Sequence, residues 1–259
     1  RPANLIIDEI NRLAVNGYKE VALTGVHIGK YSDGRLDFAG LLNELVDKTA
    51  IDRIRLSSIN PPELTADLIN LLKSTQKICP HIHLSIQSGD DGILKAMGRK
   101  YTRDDVLAVT SRLVEVIPDI TIGADFIAGF PGESPSAFEN TCRLIKAGSL
   151  HHLHVFPYSD RPGTRAAAID RKIPPGEKTR RTAILRDIGH GIRIMHLESF
   201  VGRKMQVLFE NRKRGEIMTG LSENYLRVDA PFDRVCLGRI MEVRPNAING
   251  EHLLIKSVP

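Results

Sequence analysis

The segment Gly123-Ala-Asp-Phe-Ile-Ala-Gly-Phe-Pro-Gly-Glu133 runs an apolar strand into a glycine-rich turn with an acid at each end. Asp125 and Ile127 are two residues apart and share one strand face. A carboxylate and a flat apolar contact for an aromatic base are thereby offered on the same side. The glycines allow backbone to approach a ligand closely. Glu133 can cap the turn or the next helix, where a carboxylate favours the N-terminal dipole. Without further context the same residues also read as an ordinary tight strand–helix turn. Histidines form a second group. His81 and His83 alternate along one strand face as a possible metal pair, and His151, His152 and His154 crowd a later strand. No third ligand is evident from spacing, so these read as strand residues near the mouth of a sheet, and no metal site is assigned. His27 is the histidine best placed for a site role. Cys79, Cys142 and Cys236 are far apart, make no metal-ligand spacing and read as buried or incidental thiols in a reducing compartment.

The elements that position these residues alternate. Helical spacing covers residues 4–15, closed by Asn16-Gly17. Strands are predicted over 20–24, 54–57, 81–85, 121–127 and 152–157. Helices are predicted over 38–47, 61–72, 103–116 and 135–146. Strands each followed by a helix imply parallel βα units. Polar and glycine-rich stretches follow the strand ends at 24–25, 57–58, 85–89, 129–133 and 158–163, the face where α/β folds build their sites. Five units fit a partial, open barrel whose first strand lies upstream. A long basic helix is predicted over 177–200. Beyond Gly202, short strands over 205–210, 216–219, 225–228, 235–243 and 252–256 read as a small all-β barrel. The expected organisation is an α/β domain over 1–197 and an all-β domain over 198–259.

The chain has 259 residues, 42% hydrophobic and 26% charged, an ordinary globular balance. No apolar run has the length of a membrane span and no secretory pattern is present, so a cytoplasmic protein without membrane attachment is expected. Arg1 stands inside a helical pattern, which suggests a fragment. The net charge of +5 is uneven: residues 161–214 hold fourteen Lys/Arg against five Asp/Glu, leaving +9 there and −4 elsewhere. Such a segment is either a surface for a polyanion or a solvated helix face.

Four segments carry a resemblance. Asp125-Phe-Ile127-Ala-Gly129-Phe-Pro-Gly-Glu133 resembles the G-x-I-x-G-x-x-E motif of radical S-adenosylmethionine enzymes, in the form found in methylthiotransferases. Leu23-Thr-Gly-Val-His27-Ile-Gly29 looks like the family's second-strand motif. His83-Leu-Ser-Ile-Gln87-Ser-Gly89, followed by Met97-Gly-Arg99-Lys-Tyr101-Thr, resembles its "SGS…L..M.R.Y" stretch. His154-Val-Phe-Pro-Tyr158-Ser-Asp-Arg161-Pro-Gly-Thr164 looks like its "F.YS.RPGT" signature. The four stand in the family's order and span most of the chain.

The resemblance implies a radical-type partial barrel and S-adenosylmethionine as cofactor. It places Thr24 and Gly25 at the methionine end, with His27 and Ser57 among the binding positions. Ser85 and Gln87 fall near the ribose or methionine carboxylate, Asp125 and Ile127 beside ribose and adenine, and Phe156 and Tyr158 along the last strand. Arg99 and Tyr101 read as structural, and catalytic residues remain unassigned. The family also holds 4Fe-4S clusters through cysteines that this chain lacks, and thiolates must bind them. The chain alone is therefore expected to be inactive, the parent enzyme drawing on an electron donor.

The C-terminal part, from Glu198-Ser-Phe-Val-Gly202 through Leu221-Ser-Glu-Asn-Tyr225-Leu-Arg-Val228 to Leu237-Gly238, resembles the TRAM domain, a small RNA-binding β-barrel. Arg203, Lys204, Arg212, Lys213 and Arg214 would contact phosphates. Tyr225 would either stack on a base or pack within its strand. Thr24-Gly-Val-His27 and Leu153-His-Val-Phe156 look most like the branch that modifies threonylcarbamoyladenosine in tRNA. Sister branches act on isopentenyladenosine in tRNA or on a ribosomal-protein aspartate. A cluster-less RNA-binding module is the competing class. The sequence leaves the oligomeric state open.

Overall fold

The five strands of the α/β part fall close to where hydrophobic periodicity put them, and side-chain caps fix where most helices start. The computed structural model describes residues 1–257, with residues 211–214 described by backbone alone. By contacts the chain forms two units. The first comprises Arg1–Ser57, Thr65–His81 and Arg193–Pro259, and the second Ser58–Leu64 and Ile82–Ile192. This division cuts across the expected 1–197 and 198–259, because the first two strands group with the C-terminal sheet.

In the first unit, α1 (Ala3–Val15) precedes β1 (Glu20–Leu23), α2 (Phe38–Lys48), β2 (Arg53–Leu56) and α3 (Ala66–Ser74). β1 and β2 pair in parallel, Glu20 opposite Arg53 through Leu23 opposite Leu56. Asp37 starts α2 by accepting the Gly40 N–H at 2.8 Å. The helix predicted over 61–72 is broken. Pro61–Glu63 is a single 3-10 turn boxed by Asn60 and Glu63. Thr65 is extended, and its hydroxyl accepts the Leu68 N–H to start α3 afresh.

The C-terminal part of this unit holds β6 (Met205–Arg214), β7 (Ile217–Ser222), β8 (Arg227–Pro231), β9 (Ile240–Val243), β10 (Ala247–Asn249) and β11 (His252–Leu254). They form one six-stranded sheet in the order β10-β11-β8-β7-β6-β9. Val207, Phe209, Met218, Leu226, Val228 and Leu253 are its fully buried core. β11 runs parallel to β8 while the other neighbours are antiparallel, so the sheet is mixed. No ladder among the described residues joins β9 to β10, so the pairing is that of an open sheet and not of the closed barrel expected. The outermost strands are only three and four residues long, and such short edges carry few ladder bonds. The strand predicted over 235–243 is replaced at its start by a 3-10 turn, Arg234–Cys236, and by Gly238 at φ +70°.

Arg55 anchors β2 within this unit. Its guanidinium donates to both Glu20 carboxylate oxygens, at 2.7 and 2.9 Å, and to the Ser222 carbonyl at 3.0 Å. This is the bidentate geometry that makes arginine–carboxylate pairs strong.

In the second unit, β3 (His81–Gln87, whose first residue, His81, belongs to the first unit), β4 (Thr121–Ala128) and β5 (His152–Pro157) form a sheet in that order, with β4 and β5 parallel. Between them lie α4 (Asp91–Ala96), α5 (Arg103–Val116) and α6 (Pro135–Ala147), and α7 (Pro175–Glu198) follows, its residues from Arg193 onward belonging to the first unit. Asp90, Thr102 and Ser134 cap α4, α5 and α6. α4 was not predicted, because Gly89-Asp-Asp-Gly92 reads as a loop. The loop before α4 packs on α6 so closely that a Cβ at Gly89 would lie 2.6 Å from the Thr141 Cα. The Gly89 N–H also donates to the Thr141 hydroxyl at 3.0 Å.

Gly89→Ala is therefore expected to destabilise the chain by roughly 1–3 kcal/mol, the usual cost of overpacking. Gly176→Ala, in open space near the start of α7, should be neutral or slightly stabilising. Urea unfolding midpoints of the two variants check this contrast.

Candidate functional site

Strand alternation decides which side chains share the open face of the second unit's sheet. His83, Ser85 and Gln87 on β3, Asp125 and Ile127 on β4, and His154 and Phe156 on β5 all fall on one side by the period of two. The β4–β5 register sets Asp125 opposite His154 and Ile127 opposite Phe156. Ser85, Gln87, Asp125 and Ile127 are half-buried, and the alternate residues Ile86, Phe126 and Ala128 form the core.

Asp125 is the polar centre of this face. Its Oδ1 lies 2.9 Å from His83 Nε2 and 3.4 Å from His154 Nδ1. Burial pushes the carboxyl up, but hydrogen bonds from His154 and His83 outweigh it and hold it well below the usual carboxylate range. His154 Nε2 in turn lies 2.9 Å from His152 Nε2. The His81/His83 pair, read from alternation as strand residues with no metal assigned, is divided. His81 stacks on Tyr225 with ring centroids 4.1 Å apart. The signal for the third partner was Asp125, which shares the face with His83 and lies opposite His154 but is distant in sequence.

The end of β4 is shaped by Glu133. Its Oε2 accepts the Gly129 N–H at 2.8 Å and the Arg181 guanidinium at 2.7 Å. Arg181 also donates to the Glu133 carbonyl at 2.7 Å and to Glu177 Oε1 at 2.7 Å. Gly129 has φ +75°, and a Cβ there would lie 2.6 Å from the Lys178 Cγ. Glycine is required on both counts.

A cavity of about 390 Å³ opens beside this turn, lined among others by Gln87, Met97, Arg99, Ile127, Phe130 and Arg165. Two of the residues singled out from separate motifs, Gln87 and Ile127, are brought together here. Gln87 holds φ +74°, a left-handed conformation uncommon for such a residue and often associated with functional positions. Tyr158 is not part of this lining: its ring meets Phe130 edge-on at 5.3 Å and carries Lys178 Nζ over it at 5.2 Å. Phe156 is 53% exposed. Tyr101 donates to the Ser85 and Ile86 carbonyls at 2.7 and 3.0 Å, and Arg99 to Asn60 at 2.8 Å. Both anchor the second unit.

In the first unit, Thr24, Gly25 and His27 line a larger cavity of about 600 Å³ with apolar residues of α1 and α2. His27 holds φ +53°. Ser57 closes β2, its N–H donating to the Leu23 carbonyl at 3.0 Å. Of the residues read as RNA contacts, Lys204 pairs with Glu242 at 2.6 Å and Arg203 lies over the Phe200 ring at 4.6 Å. The side chains of Arg212, Lys213 and Arg214 lie outside the described residues. Tyr225 has one face on His81, and the Arg55 guanidinium is 5.3 Å from its ring centre. The basic segment turns part of its charge inward: Arg181 and Arg193 are buried, and Arg186 donates to the Val155 carbonyl at 2.9 Å.

The described residues do not fit an iron–sulfur cluster. Cys79, Cys142 and Cys236 sit on separate elements, and Cys79 and Cys236 are buried. Burial pushes the Cys79 thiol up to about 12, away from the thiolate a cluster needs. Among the described residues, no helix is long and apolar enough to cross a membrane.

Residues 1–145 match the radical SAM superfamily. The threonylcarbamoyladenosine tRNA methylthiotransferase MtaB of Thermotoga maritima is 32% identical over 255 residues, covering 98% of this chain and 58% of that protein. The tRNA-2-methylthio-N(6)-dimethylallyladenosine synthase of Endomicrobium trichonymphae is 34% identical over 251 residues, covering 95% and 60%. The chain thus spans somewhat under two thirds of these relatives. Among solved structures, the radical S-adenosylmethionine methyltransferase TsrM from Kitasatospora setae, with cobalamin and a [4Fe-4S] cluster bound, aligns with TM-score 0.51 at 19% identity, over 61% of this chain and 31% of that one. On the family match over more than half its length, and with a concordant α/β fold, the chain belongs to the radical SAM superfamily.

Proposed function

We propose that this chain is the cofactor-binding and C-terminal part of a tRNA methylthiotransferase that adds a methylthio group to threonylcarbamoyladenosine. The observation that carries the cofactor reading is the meeting of Gln87 and Ile127 in one cavity beside the Gly129–Glu133 turn. When bound, S-adenosylmethionine supplies the radical precursor and the methyl group. In this reading Ile127 and Phe130 give the adenine an apolar wall, and Gln87 offers both a donor and an acceptor to the sugar or methionine end. Ser85 and Asp125 share that strand face, and Phe156 flanks it. Tyr158 supports the wall through Phe130. Thr24, Gly25 and His27 line the first unit's own cavity; the resemblance is what gives them a methionine-end role and counts Ser57 among the binding positions. The cluster ligands belong to the parent enzyme, outside these residues, and an electron donor serves it there.

Residues 198–259 are proposed as a TRAM-like RNA-binding module, with Arg203, Lys204, Arg212, Lys213 and Arg214 on phosphates. Tyr225 is kept with them as the stacking residue, though its ring already stacks on His81 and lies under the Arg55 guanidinium. A second substrate reading, N(6)-dimethylallyladenosine in tRNA, is favoured by the comparable identity of the Endomicrobium relative.

Calorimetric titration of the chain with S-adenosylmethionine tests the cavity. Ile127→Asp and Gln87→Ala should each weaken binding about tenfold, or roughly 1.4 kcal/mol; unchanged affinity in both would move the cofactor elsewhere. The substrate is read from tRNA nucleosides of cells lacking and then regaining the parent gene: return of methylthio-threonylcarbamoyladenosine supports the first reading, and return of the dimethylallyl form supports the second.

For the C-terminal module, tRNA affinity should fall steeply with salt. Replacing Arg212, Lys213 and Arg214 together should reduce the log–log slope by roughly 2 to 3, close to one per phosphate contact. A salt-insensitive interaction would remove the RNA role from these residues.

A further inference from the structure

The open face of β3–β5 carries a constellation that the cofactor reading does not use in full. His83, Asp125 and His154 each offer one ligand atom, these atoms all lie within 4.8 Å of one another, and each residue comes from a different strand. Asp125 Oδ1 is 2.9 Å from one nitrogen and 3.4 Å from the other. Zinc–nitrogen and zinc–oxygen bonds of about 2.0–2.2 Å in a tetrahedron place donor atoms roughly 3.3 Å apart. The two carboxylate separations bracket that spacing, and the two imidazoles, whose ligand atoms lie within 4.8 Å of each other, draw together by up to about 1.5 Å to share an ion.

Surrounding groups orient the ligands. A Cβ at position 123 would fall 2.5 Å from His83 Nδ1. Gly123 thus leaves room for the imidazole to lie with Nε2 on Asp125. His154 has its other nitrogen, Nε2, 2.9 Å from His152 Nε2. When an ion displaces the Nδ1 proton that faces Asp125, this contact can keep His154 Nε2–H on His152, the outer partner that metal-bound histidines usually have. Asp125 and His154 are adjacent in the β4–β5 ladder, so the backbone fixes their separation. His154 is 45% exposed, which gives an ion a way in from solvent.

We propose that His83, Asp125 and His154 form a binding site for a divalent transition-metal ion of the zinc, cobalt and nickel class. Two imidazoles and one carboxylate are the donors that class prefers. Three protein ligands leave a further coordination position for water or for an incoming donor atom. The ion takes Asp125 Oδ1, and the carboxylate's second oxygen remains for a ribose hydroxyl. The site therefore stands beside the proposed cofactor role and does not depend on it.

The chain, stripped of metal with a chelator, is titrated with Co2+ alone and followed by its visible d–d absorption. Saturation at one equivalent is expected. His154→Ala and Asp125→Asn should each lower the affinity at least tenfold, with far-UV circular dichroism unchanged. A Cys79→Ser/Cys142→Ser/Cys236→Ser variant and His27→Ala should titrate like the parent chain. His154 is partly exposed, so its replacement keeps the test informative if Asp125→Asn disturbs folding. Absence of saturable absorption in the folded chain overturns the site. So does binding that survives both ligand variants, or that disappears with the cysteines.

Discussion

A buried ion pair, Glu133 with Arg181, fixes the turn that gives the second unit its cavity. Both side chains are almost wholly removed from solvent, at 1% and 4% exposure. Desolvation pushes the Glu133 carboxyl up, and Arg181 with the Gly129 N–H only partly offset it. The pair therefore costs desolvation energy, and its role is to specify geometry. It closes the loop between Gly129 and Glu133, ties that loop to α7, and so sets where Ile127 and Phe130 stand. Glycine permits the approach at two points: Gly129 against Lys178, and Gly189, where a Cβ would lie 2.9 Å from Leu153. Gly189, inside α7, is the place where that helix touches β5.

Much of this was legible in the sequence. Apolar periodicity placed the five strands of the α/β part and most of its helices to within a few residues, because those segments are buried on regular faces. The breaks were harder. Thr65 restarts a helix after Pro61–Glu63, and Asp90 starts one inside a glycine- and acid-rich stretch. In both cases a single side-chain cap decides against the average composition. The C-terminal strands shifted by a few residues because register there follows pairing partners and left-handed residues such as Tyr225 at φ +68°.

The candidate site was legible in types and not in partners. Alternation put Asp125 and Ile127 on one face, and the structure keeps them there. Which histidine meets the carboxylate depends on how strands from distant parts of the sequence align. His83 and His154 meet it, while His81, two residues from His83, stacks on a tyrosine of the C-terminal sheet. The basic segment teaches the same limit. Charge counting treats Arg181, Arg186 and Arg193 as surface, yet the first is a buried clamp, the second ties to a strand carbonyl and the third is buried. A polyanion surface is better sought at Arg203 and beyond than along the whole helix.

The most direct measurement is the unfolding free energy of Arg181→Met against the parent chain as a function of pH. Removing one partner of a buried pair should cost roughly 3–5 kcal/mol near neutrality. In the variant the Glu133 carboxyl loses its counter-charge and its folded-state pKa rises further above its unfolded value. The protonated carboxyl is then tolerated below the unfolded pKa, and stability is lost as pH rises through the folded one. The deficit should therefore shrink as pH is lowered from about 7 to about 5. A deficit under about 0.5 kcal/mol, or one that does not change with pH, would contradict the assignment of this ion pair as the constraint that holds the turn.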